Sequence, residues 1–202
     1  MKRIIIILIV VAAVGGYFTY AYFQGKAEEK AKQIAQIEKK REARNASVAQ
    51  MVSKYSAADD WMDKLHKGST GEKTKILTME LENVWLINRP ILFKGTIKDI
   101  STLDANNYLM TIEYDMSLKE RKKFSTELAL TLNSPKNMID SFLRINPNAS
   151  SGISSVAVIA KINKIETKYH KTEEGDEEEI RTGIGQCIDI LLYNELFLED
   201  LF

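Results

Sequence analysis

Leu128-Ala129-Leu130-Thr131-Leu132-Asn133-Ser134-Pro135-Lys136-Asn137-Met138-Ile139-Asp140-Ser141-Phe142-Leu143 carries the change on which the fold turns. Leu128 to Leu132 reads as a strand. Ser134-Pro135 then opens a helix: Ser is a good N-cap, and Pro fits the first helical position, where its missing N–H costs nothing. Met138, Ile139, Phe142 and Leu143 give that short helix an apolar face, and Pro147 stops it.

Two strands precede this junction. Ile91 to Ile100 places Phe93, Gly95, Ile97 and Asp99 on one face, and Gly95 marks a strong bend or a close backbone approach. Asp104-Ala105-Asn106-Asn107 is turn chemistry and leads into Tyr108 to Tyr114. Further upstream, Ile76 to Glu82 and Val84 to Ile87 also carry strand signals, interrupted at Pro90. Downstream, Asn146 to Gly152 is a loop, Ser155 to Glu166 is a long strand, and Ile180 to Leu192 is the last strand, with Gly183, Gly185 and Cys187 inside it. Three strands, one helix and two strands is the order of the OB-fold. The expected architecture is mainly β: a five-stranded OB-like antiparallel barrel with one short helix between strands 3 and 4, closed so that no sheet edge is left exposed. A curved antiparallel sheet with helices packed on one face, as in secretion-system components with a similar anchor, is the rival.

Phe93-Lys94-Gly95-Thr96-Ile97-x-x-Ile100, Tyr108-Leu109-Met110-Thr111-Ile112, Val156-Ala157-Val158-Ile159-Ala160-Lys161-Ile162 and Gly185-Gln186-Cys187-Ile188-Asp189 together resemble the tRNA-anticodon-like OB domains. Those occur in small exported or membrane-anchored bacterial proteins of mostly unknown role. The resemblance covers about residues 76–193 and implies a fold and a binding role. The family's name reflects likeness to anticodon-binding domains and implies no RNA contact.

The amino-terminal region decides location. Ile4 to Phe23 carries no charge and follows Met1, Lys2 and Arg3. As a helix it spans about 30 Å, the thickness of a bilayer's hydrocarbon core. Ile4, Ile5, Ile6, Ile7, Leu8 and Ile9 form its apolar start, and Tyr17, Phe18, Tyr20, Tyr22 and Phe23 suit the membrane interface. Bulky rings make a poor signal-peptidase site, and the lone cysteine, Cys187, is no lipid-attachment site, so an uncleaved signal anchor is expected. Lys2 and Arg3 before the span favour a cytoplasmic N-terminus, with the body in the periplasm or outside the cell.

The expected organisation is a tail at 1–3, a transmembrane anchor at 4–23, a helical stalk at 24–67, a linker at 68–75, the barrel at 76–193 and an amphipathic tail at 194–202. The stalk is rich in Ala, Glu, Lys, Gln and Arg, strong helix formers. A 3-4 spacing through Ala27, Lys30, Ile34, Ile37, Arg41, Arg44, Val48, Met51, Tyr55, Ala58, Met62 and Leu65 is heptad-like, with two arginines at its centre. Two readings follow: a solvated spacer whose last turns, near Trp61, Met62 and Leu65, dock on the barrel, or a coiled coil joining a homo-oligomer.

Chemistry is sparse. Formal net charge is zero, and Glu173, Glu174, Asp176, Glu177, Glu178 and Glu179 crowd one hairpin tip, which would repel a phosphate backbone. Lys119, Arg121, Lys122 and Lys123 read as a solvated loop. The acidic tip lacks the ligand spacing of a calcium loop, and His66 and His170 are far from each other and from Cys187, so no zinc pattern exists. No nucleophile, base or phosphate-loop motif appears. Cys187 reads as a buried, inert thiol, and Asp99 and Asp189 as polar strand residues that a barrel could bring together. The expectation is therefore no enzyme, no cofactor and no metal: a single-pass membrane protein presenting its barrel to a protein, peptide or envelope ligand. Leu196, Phe197, Leu198, Leu201 and Phe202 would contact that partner or cap the barrel's open end. A cytoplasm-facing nucleic-acid module and a subunit of a secretion assembly are the alternatives.

Overall fold

The computed structural model describes residues 2–114, 126–150, 154–171 and 177–195, with side chains from Tyr22 onward except at 66, 126, 170, 177, 178, 194 and 195. The chain divides into two units, residues 1–45 and 46–202. In the first, the backbone is helical from Lys2, and α1 runs Lys2–Tyr55. Tyr22 and Phe23 are 60% and 63% exposed, their rings meet edge to face at 5.9 Å, and Lys26 lies over Tyr22. Ile34 is exposed and Ile37 half-buried. Among the described residues, no helix is long and apolar enough to cross a membrane. The side chains of the expected anchor from Ile4 through Ala21 lie outside the described residues.

The second unit begins with the last turns of α1. Three short helices follow, α2 (Asp60–Lys67), α3 (Thr70–Lys75) and α4 (Leu81–Trp85), with a π-helical turn Ile76–Glu80 between the last two. Gly68 caps α2, its N–H donating to Lys64 O at 2.8 Å. Ser69 and Glu72 form a capping box that starts α3 inside the expected linker. The strand expected over Ile76 to Glu82 is therefore helical, and that over Val84 to Ile87 is the end of α4 followed by a bend. Leu77, Leu81 and Trp85 recur four residues apart and are all buried, a helical face that wins over the β-propensity of the Ile, Thr and Val around it.

The barrel comprises β1 (Ile91–Thr102), β2 (Asn107–Tyr114), β3 (Thr126–Pro135), β4 (Ser154–Lys171) and β5 (Glu177–Glu195), with α5 (Lys136–Ile145) between β3 and β4. It closes in the order β1-β2-β3-β5-β4, with β4 returning to β1. The expected OB-like barrel and its inserted helix are present, with one correction: β3 and β5 run parallel. Five strands cannot close with every pair antiparallel, because an odd ring must contain one like-directed pair. Ser134 is also not an N-cap. It stays in β3 opposite Tyr108, fully buried, its hydroxyl donating to Leu132 O at 3.3 Å, and Pro135 precedes the helix.

Inward residues alternate along each strand: Ile91, Phe93, Met110, Ile112, Leu130, Leu132, Val156 and Val158 are wholly buried. The helices plug the two ends. α4 leads into the start of β1, and α5 follows the finish of β3, which the strand directions place at the other end. Trp61, Trp85, Phe93 and Tyr114 form an aromatic chain with centroids 6.0, 6.1 and 6.2 Å apart in sequence, worth roughly 0.5–1.5 kcal/mol per pair beyond area. Arg181 ties β5 to the π turn by donating to Leu77 O at 2.5 Å. Ile139 and Phe142 of α5 enter the same core from the far end.

Candidate binding recess at the β1–β2 loop

The β1–β2 loop is built around Asp104. Its Oδ1 accepts the Asn106 and Asn107 backbone N–H groups at 2.8 and 2.9 Å, and the Asn107 side-chain amide adds two contacts of 3.1 Å. The Asn106 N–H, first among these donors, holds the Asp104 carboxyl below the usual carboxylate range. The register of β2 on β3 sets Asn107 opposite Pro135, so the loop meets the first turn of α5. Lys136 N donates to Asn106 O at 2.8 Å and locks the two together.

An open recess of about 560 Å³ results, lined by Ala105, Asn106, Asn107, Pro135, Lys136, Asn137 and Asp140. That falls within the volume range of small-molecule sites. Tyr108 braces its edge, donating to Asp140 Oδ1 at 3.0 Å, which raises the phenol's pKa, and Lys136 Nζ sits 5.2 Å from the centre of the same ring. The lining sets one cation against one carboxylate and adds three asparagine amides, each both donor and acceptor. Such a surface suits a neutral polar ligand better than a polyanion. It holds no nucleophile poised beside a base.

The remaining expected site residues fall as follows. Leu196, Phe197, Leu198, Leu201 and Phe202 lie outside the described residues, as do Lys119, Arg121, Lys122 and Lys123, residues 172–176 of the acidic tip, and the side chains of His66 and His170. Where β5 begins, Glu177, Glu178 and Glu179 stand opposite Lys171, His170 and Tyr169, and Glu179 accepts from Arg181 Nε at 2.7 Å. Cys187 is buried, and that burial pushes its thiol up to about 12. Asp99 and Asp189 are not neighbours. Asp99 is exposed opposite Thr111, whereas Asp189 stands opposite Ile159, which faces Leu92 at the other end of β1. Among the described residues, no three His, Cys, Asp or Glu side chains gather to hold a metal.

Asn106, Asn107, Lys136 and Asp140 had no functional signal in the sequence. The turn and the helix start are each legible, but only the strand register brings them face to face. No protein family, curated protein or solved structure matches the chain.

Proposed function

We propose that this protein is a single-pass membrane protein that carries an OB-like binding barrel outside the cytoplasm and takes a neutral polar envelope ligand, or the polar surface of a protein partner, at the β1–β2 loop. The observation that carries the reading is the recess: its loop belongs to the ligand-binding surface of OB-folds, and the packed core leaves the outside of the barrel to do the binding. Ile4 to Phe23 supplies the anchor, and the exposed rings of Tyr22 and Phe23 beside Lys26 fit a membrane interface. Charge argues against nucleic acid: Asp140 offsets the recess's single lysine, and such ligands draw affinity from released counterions. Among the described residues, the recess brings no nucleophile and base together.

Two measurements on intact cells test the reading. A C-terminal epitope should be digested by added protease once any outer membrane is permeabilised, with the inner membrane whole; protection until full lysis would place the barrel in the cytoplasm. A photo-cross-linking residue at Asn137 should capture an envelope component that one at Thr167 does not. Equal capture at both, or none at Asn137, would remove the recess from the account.

A further inference from the structure

The last three turns of α1 cover the outer wall of the barrel and make a hydrophobic cluster separate from the barrel's interior. Val48 and Met51 are buried there, with Val52 and Tyr55 beside them. The wall beneath is formed by Leu92, Ala157 and Ile159, outward residues of β1 and β4.

Polar contacts at Asp189 fasten this layer, and a bulge creates them. Ala160 faces Cys187 and Ile159 faces Asp189, so Ile188 is an extra residue in β5. Simple alternation would point Asp189 inward with Cys187; the bulge turns it out to α1. Its Oδ2 accepts the Tyr55 hydroxyl at 2.9 Å and lies 3.6 Å from Lys54 Nζ. Beyond Tyr55, Ser56 has φ 49°, the one positive value at a non-glycine among the described residues. Ala58 is then pinned to β1, its N–H donating to Pro90 O and its carbonyl accepting from Leu92 N, both at 2.9 Å. The pivot therefore lies between a fastened helix and a fixed bridge.

We infer that residues 46–55 form a strap that lifts from the barrel wall about Ser56 before the barrel itself opens, that Asp189 is its latch, and that the uncovered wall takes the same helix from a second copy of this chain. The wall already fits this helix, and exchange of an identical element is a low-cost route to a dimer. A small cluster on the outer wall, separate from the barrel's interior core, opens as its own unit below the global unfolding free energy.

Hydrogen exchange on the full chain in detergent tests this. Amides of 46–55 should exchange faster than those of β1, β4 and β5. Tyr55→Phe, which keeps the ring, should speed the strap alone about tenfold, the worth of one hydrogen bond to a charged group. Light scattering should show more dimer for Tyr55→Phe than for the native chain at equal concentration. Asp189→Asn should act in the same direction. If 46–55 exchanges with the strands and ignores Tyr55→Phe, the helix belongs to the barrel's cooperative core and the strap is overturned. If the strap opens and the chain stays monomeric, the second copy is overturned as its occupant.

Discussion

Gly185 and Gly95 set the tightest points of the barrel, and alanine at either should cost more than alanine at Gly183. A Cβ on Gly185 would lie 2.0 Å from the Lys161 carbonyl oxygen, and one on Gly95 would lie 2.0 Å from that of Glu113. Reaching 3.0 Å, the shortest separation real Cβ atoms show, moves a strand by 1.0 Å (3.0 − 2.0). The obstacle is backbone held in a ladder, so the strand shifts as a whole. Overpacking of about 1–3 kcal/mol plus two weakened ladder bonds at about 1 kcal/mol each gives about 3–5 kcal/mol. A Cβ on Gly183 meets only side chains, Leu130 Cδ2 and the Trp85 ring edge, each at 2.8 Å. Leu130 Cδ2 is the end of a flexible side chain, but the wholly buried Trp85 ring must shift with it, so the cost is about 2 kcal/mol, still below that of moving a strand. For a unit this size the melting temperature should fall by about 10 °C for Gly185→Ala and by about 4 °C for Gly183→Ala. Thermal denaturation followed by circular dichroism reads both. A Gly185→Ala chain that melts within 2 °C of the native one, or a reversed order, would refute the close-approach argument.

Ser56→Gly should stabilise the second unit, because relief of the left-handed penalty exceeds the entropy glycine adds to the unfolded chain; a gain of about 0.5 kcal/mol in urea denaturation is expected, and a loss would mean that the side chain is needed at the pivot. Glu72 accepts the Ser69 N–H, which holds its carboxyl below the ordinary 4.5. Its support of α3 is thus complete above pH 4.5 and fades as pH falls through the lower folded value, so an NMR titration midpoint should lie under 4.5 and Glu72→Gln should flatten that dependence. Cys187, with its thiol near 12, should resist disulfide reagents at pH 8 in the native state and react fully in urea; fast native labelling would show that the last strand opens readily.

The barrel was legible because its parts are local. Alternation marks each strand, and a proline beside a run of Met138, Ile139 and Phe142 marks the helix. Direction was not legible: that β3 and β5 run alike follows from closing an odd ring, a property of the whole. Ile76 to Ile87 misled because the π turn inserts a residue into the helical period, and Ile76, Thr78, Val84 and Ile87 give the stretch a β-branched look. Ser134 misled because a serine before Pro caps a helix in isolation, whereas here the strand pairing continues through it. The stalk's heptad-like spacing was real in its later half, yet Val48, Met51 and Tyr55 meet the barrel wall of their own chain. The recess was invisible for a plainer reason: its residues are ordinary turn and helix-start residues about thirty positions apart.

The bridge between Ala58 and Ile91 has a consequence for crowding. Among the described residues β2 pairs with β1 from Gly95 onward, and at the start of β1 the backbone of Ala58 takes the edge beside Ile91. An edge of that kind, left open, recruits strands from neighbouring molecules. Ala58 occupies it, and Pro90, with no N–H to offer, stands at its start. A neighbouring molecule therefore finds the start of β1 already taken by a segment of its own chain, and a strand has no foothold there from which to extend the sheet.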